Sequence, residues 1–162
     1  MKQTFSKTST ITISALVAAM YIVVMYVTQG FAFGPIQMRV ATALYTFSYL
    51  FPFLIVPLGL ANALSNTLMG GLGVYDIVGG FFIGILTAGL VYLVRRFKLP
   101  MILVIVPVIF APGFVVPLWL SPLFGIPYWL LVVQISAGQV IPAILGWFLI
   151  RAISKRGLDK RG

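Results

Sequence analysis

Four small polar clusters interrupt an otherwise apolar chain. Gln37 and Arg39 stand two apart beside a Gly-Pro turn, in the stretch FGPIQMR. Asn62 and Asn66 stand four apart, Asp76 follows a glycine-rich run, and Gln134 and Gln139 flank Ser136 and Gly138. The chemistry these groups offer is hydrogen bonding: a rigid guanidinium fork, carboxamides that donate and accept, and one carboxylate. His and Cys are both absent, and Asp plus Glu total 2 in 162 residues. The commonest general base, a thiolate, a disulfide and a carboxylate pair are thereby removed, so no cofactor and no metal site is expected. A G-x-x-x-x-G-K-[ST] phosphate loop is missing as well. The polar residues read as a recognition site for a solute, and the chain is expected not to be an enzyme.

The elements that hold those residues must lie in a membrane. The chain is 61% hydrophobic and 8% charged, too apolar to build a polar exterior. Runs of ~20 apolar residues are the length that crosses a bilayer. An all-α integral membrane protein follows, one bundle over residues 1–162. Six spans are expected, near 9–28, 40–56, 58–70, 74–94, 100–117 and 128–150. The third is short and Pro57 leaves its start open; the second and third form either a tight hairpin or a broken pair. The first span has an apolar run longer than the ~7–15 residues of a signal peptide and no A-x-A site after it, so it reads as a permanent helix.

Basic residues set the orientation. Lys2 and Lys7 precede the first span, Arg95, Arg96 and Lys98 follow the fourth, and Arg151, Lys155, Arg156, Lys160 and Arg161 follow the sixth. With six spans these regions share one side, which the positive-inside rule makes cytoplasmic, termini included. Topology and attraction to anionic headgroups account for the +9 net charge, and no nucleic-acid partner is expected. Arg39 is the eleventh basic residue and falls on the opposite side with Asp76, whereas Asp159 sits in the cytoplasmic tail.

Three loops then face outward, at about 29–39, 70–76 and 118–127, with Phe31, Phe33, Tyr75, Trp119, Phe124, Tyr128 and Trp129 around them. Such rings are either interfacial anchors or the walls of a pocket open to the outside. Arg39 is either a snorkelling cation or a ligand for carbonyl or anionic oxygens. Asn62 and Asn66, with Gly59, Ala63 and Gly70, form a small polar stripe that either glues helices or lines a site. Asp76 is an N-cap, an acceptor for a ligand's N–H groups, or a partner of Arg39. Ala15 and Ala19, with Ala18, and Gly80, Gly84 and Ala88 are small faces for internal packing or for docking another subunit.

The stretch FGPIQMR, Ala43-Leu44, Asn66, GGLGVYDIVGG at 70–80, PYW at 127–129 and Gly138 together resemble the QueT family. Its members are substrate-binding S-components of energy-coupling factor (ECF) ABC transporters for queuosine precursors. The resemblance runs in order over roughly residues 10–150. It implies a six-transmembrane-helix S-component fold in a bacterial plasma membrane, with a ligand pocket near the outer face. It implies a membrane-embedded coupling subunit and two ATPase subunits as partners, and Ala15 and Ala19 match the A-x-x-x-A pattern that docks onto that coupling subunit. The family tends to have Glu where this chain has Thr42 and Gln139, which removes carboxylates that a cationic aminomethyl deazaguanine would use.

The function expected is therefore uptake of a 7-deazaguanine or a similar vitamin-like micronutrient. The substrate-binding candidates are Gln37, Arg39, Asn66, Tyr75, Asp76, Trp129 and Gln139. The alternatives are the same fold with another ligand, such as a corrinoid, or a stand-alone small permease.

Overall fold

The computed structural model describes residues 6–32, 37–69 and 73–158. All regular structure among them is helical: α1 (Lys7–Ala32), α2 (Ile55–Leu68), α3 (Val74–Arg96), α4 (Ile105–Val115), α5 (Pro117–Phe124) and α6 (Tyr128–Ile153). A 3-10 helix of 10 residues, Val40–Tyr49, and a short 3-10 turn, Pro52–Leu54, connect α1 to α2. Lys7–Ala32, Val74–Arg96, Met101–Phe124 and Tyr128–Arg156 are long and apolar enough to cross a membrane, and Pro52–Leu68 is a shorter apolar helix. Their outward side chains, such as Leu16, Val23, Phe82, Leu86, Ile141 and Phe148, are apolar and exposed. Exposed aliphatic and aromatic surface on every long helix suits hydrocarbon as solvent, and the chain is an all-α membrane protein.

Two elements differ from the sequence expectation. The segment expected as a second long span is a 3-10 helix that ends at Tyr49, and α2 then returns beside it. Tyr45 meets Asn62 while Arg39, six residues earlier, reaches Asn66, so the two arms are antiparallel and form the hairpin alternative. Pro57, which leaves the start of the third span open in the sequence, sits in the first turn of α2, where a missing N–H costs no hydrogen bond. The expected loop 118–127 is mostly α5, started by Pro117 and stopped by Gly125 at φ +67. Phe33, Gly70 and Gly71 lie outside the described residues.

One end of the bundle collects the basic side chains. Leu50 at the hairpin tip, Val94, Val104 and Ile150 pack in one apolar cluster. Arg95 Nη1 donates to the carbonyls of Tyr49 (3.0 Å) and Leu50 (3.1 Å), which ties the tip to the end of α3. Arg151 lies 5.1 Å from the Trp147 ring centroid at the same end. The α1 helix starts there too, because its last turn meets the opposite end of the hairpin, at the mouth of the 3-10 arm, through Met38 N–H to Phe31 O.

Glycines set a close contact between α2 and α3. A Cβ on Gly84 would stand 2.8 Å from Gly59 Cα, and one on Gly59 would stand 2.9 Å from the Phe81 carbonyl. Both atoms are backbone and cannot step aside, so only glycine lets these helices approach. Replacing Gly84 with Val should separate them. The expected result is a loss of about 1–3 kcal/mol from overpacking, read as a lowered thermal midpoint in detergent. Gly89→Val, in a place with nothing within 4 Å, should leave the midpoint unchanged.

Candidate functional site

Arg39 stands at the entrance to the 3-10 helix, in extended backbone, and is only 7% exposed. Its Nη1 donates to Asn62 Oδ1 (3.2 Å) and to Asn66 Oδ1 (3.3 Å). Its Nη2 lies 3.7 Å from Asp76 Oδ2. The two asparagines are one helical turn apart on α2, so both face the same guanidinium. Their amide nitrogens are fixed from behind. Asn62 Nδ2 donates to the Gly80 carbonyl (2.8 Å) and the Tyr45 hydroxyl (2.9 Å), and Asn66 Nδ2 donates to the Asp76 carbonyl (2.8 Å). These donations leave the amide oxygens for Arg39. Gly80 is needed here, since a Cβ would stand 2.5 Å from Asn66 Nδ2.

Asp76 is not the N-cap of α3; Gly73 holds that position with φ +79. Asp76 falls three residues later, in the first turn, where a carboxylate is favoured by the helix dipole. It is 2% exposed and its side chain turns inward to Arg39. Of the readings open for Asp76, the geometry shows the pairing with Arg39.

Gln37 and Gln139 close the other side. Gln139 is 1% exposed, and its Nε2 donates to the Gln37 carbonyl at 3.0 Å. The Thr42 hydroxyl donates to Gln139 Oε1 (2.6 Å) and lies 2.7 Å from the Arg39 carbonyl, so one proton serves two acceptors. Gln37, Arg39, Thr42, Tyr45, Asn62 and Gln139 share a cavity of about 20 Å³ with apolar Ile83, Pro112, Val116 and Ile135. That is room for about one water molecule. The polar chain continues beneath it, with the Tyr45 and Tyr21 hydroxyls 3.1 Å apart.

Five of the seven candidates, Gln37, Arg39, Asn66, Asp76 and Gln139, are thus brought into one buried cluster. Tyr75 and Trp129 are not: each is 69% exposed, and of the seven candidates Gln37, Arg39 and Gln139 line the cavity while Asn66 and Asp76 stand behind Arg39. Tyr75 instead borders a surface hollow of about 370 Å³ with Trp119 and Leu118. Trp119 packs over Gly79, whose Cβ would meet the indole at 2.9 Å. Gln134 is half-buried and outside the cavity lining. Ala15 and Ala19 are exposed on α1, whereas Gly80, Gly84 and Ala88 are buried.

Sequence reasoning did not single out Tyr45. The signal was present as a period of three in polar residue types, Arg39, Thr42, Tyr45 and Ser48, all of them buried. A 3-10 helix eclipses residues i and i+3, so such a row lies along one face.

The family model described as QueT transporter matches residues 11–155. The chain belongs to the QueT transporter family. No curated protein and no solved structure matches it. Membership in the QueT family makes the chain a membrane transport protein with a small-molecule substrate, not an enzyme.

The buried pair is open to a direct measurement in this QueT-family chain. Removing one partner of a buried ion pair leaves an uncompensated charge and costs about 3–5 kcal/mol. Arg39→Gln and Asp76→Asn should each destabilise the protein on that scale in denaturant unfolding. The double variant should cost less than the sum of the two, and a strictly additive result would show that the charges do not interact.

Proposed function

We propose that the chain is the substrate-binding S-component of an ECF transporter in a bacterial plasma membrane, and that it takes up a 7-deazaguanine precursor of queuosine. The observation that carries this reading is the buried Arg39–Asp76 pair, set away from the basic end of the bundle and surrounded by carboxamides. A guanine-type edge carries adjacent N–H donors next to a carbonyl acceptor. Asp76 accepts from the donors, Arg39 donates to the carbonyl, and Gln37 and Gln139 complete the edge. Asn66 orients Arg39 for that contact. Tyr75 and Trp129 sit outside this shell and serve the approach to it.

Ligand pockets commonly span about 300–1,000 Å³. The cavity of about 20 Å³ must therefore widen to admit a bicyclic base. Pro112 and Val116, at the junction of α4 and α5, form the apolar wall that can part. In this reading the 3-10 arm and α2 are two of six crossings, both termini are cytoplasmic, and the outer end carries the site. ATP is hydrolysed on two partner subunits, and the exposed Ala15 and Ala19 seat α1 against the coupling subunit.

Calorimetric titration of the purified chain with 7-deazaguanines tests the proposal, and micromolar or tighter binding is expected. Arg39→Ala should weaken binding at least 100-fold in the fraction that remains folded, while membrane insertion and co-purification with the ATPase module persist. Ala15→Leu with Ala19→Leu should do the reverse, abolishing co-purification while ligand still binds. Uptake into liposomes by this chain alone, with no ATPase present, would sink the S-component reading.

A further inference from the structure

The charges around the cavity cancel, and this restricts what can enter it. Arg39 and Asp76 face each other at 3.7 Å, both buried. Gln37, Thr42, Asn62 and Gln139 carry no charge, and Ile83, Pro112, Val116 and Ile135 are apolar. No further acid can arrive from the neighbouring loops. The chain has 2 acids, and the second, Asp159, comes 20 residues after Gln139 (159 − 139), beyond the end of α6. Residues 33–36 and 70–72, which precede the 3-10 helix and α3, read FGPI and GGL and contain no ionisable side chain.

Resting on the substrate reading above, we infer that the site selects an uncharged heterocycle over a cationic or anionic relative of the same shape. A cationic ligand adds a second positive charge to be balanced by the single carboxylate of Asp76, beside a cavity whose other lining residues are uncharged. An anionic ligand likewise adds a second negative charge to be balanced by Arg39 alone. Either way one net charge stays buried, and a buried charge without a partner is strongly penalised. A neutral edge with N–H donors beside a carbonyl contacts both residues at once and keeps the sum at zero. The selectivity thus comes from the pair acting as one unit, while the carboxamides supply hydrogen bonds that any of the three ligand classes could use.

Three 7-deazaguanines that differ only at position 7 test this on the purified chain in nanodiscs at pH 7: the neutral 7-cyano, the cationic 7-aminomethyl and the anionic 7-carboxy compounds. The cyano compound should bind at least tenfold tighter than either ion. Gln139→Glu, which adds a carboxylate to the lining, should move the aminomethyl-to-cyano affinity ratio at least tenfold toward the amine. Thr42→Glu is the second variant should that one not fold. Equal or tighter binding of the aminomethyl or carboxy compound by the unaltered chain overturns the inference and leaves the deazaguanine reading standing. An unmoved ratio in a folded Glu variant overturns it too, since charge would not be the cause. Binding of none of the three overturns the deazaguanine reading and this inference with it.

Discussion

A guanidinium buried among apolar helices sets the terms for everything packed around it. A charge without partners inside a membrane domain is costly. Three side chains from two helices must therefore converge on it. Convergence needs α2 and α3 to touch, and they touch only because Gly59, Gly80 and Gly84 bring no Cβ to the contact. The asparagines are used at both ends: oxygen toward Arg39, nitrogen toward α3 carbonyls. Each such carbonyl has a second lone pair beyond its helical bond, so the amides tie two helices without breaking either.

The segment that follows Arg39 is a 3-10 helix, and its length matters. Ten residues at ~2.0 Å rise reach ~20 Å, where an α-helix would reach ~15 Å. The longer reach lets one short arm run from Arg39 to the Tyr49–Leu50 tip held by Arg95. Backbone groups in such an environment must be satisfied inside the protein. Thr42, Thr46 and Ser48 each place a hydroxyl on the carbonyl three residues back, and Thr46 and Ser48 also meet carbonyls of Gly146 and Ala88. The arm is thereby fastened between α6 and α3, and Arg39 is placed at its mouth.

Membrane residence and helical class were legible from composition alone, because nothing else accommodates so few polar groups. Gln37, Arg39, Asn66, Asp76 and Gln139 were legible for a related reason: a polar side chain is so scarce here that each one needs a partner. Direction was harder. Tyr75 and Trp129 have the types and loop positions of pocket walls, yet an aromatic ring at an interface is equally stable facing lipid, so sequence position does not choose between them. Tyr45 escaped because the segment reads as an α-helical span, and its true period of three emerges only against a 3-10 helix. The α5 helix escaped because Pro117 and Pro122 look like loop residues, although Pro117 starts a helix as readily as it ends one.

The geometry of the pair also bears on how a ligand can replace it. The guanidinium is anchored through Nη1, which both asparagines hold, while Nη2 faces the carboxylate. A separation of 3.7 Å is Coulombic contact without a hydrogen bond, and Asp76 Oδ2, though buried, accepts none among the described residues. Under the proposed substrate reading, a ligand edge that meets Nη2 and Oδ2 would gain hydrogen bonds that these two atoms do not make with each other. An Arg–Asp fork bonded bidentately would be the better ion pair and the poorer site, because every hydrogen bond made within it would have to be broken on binding.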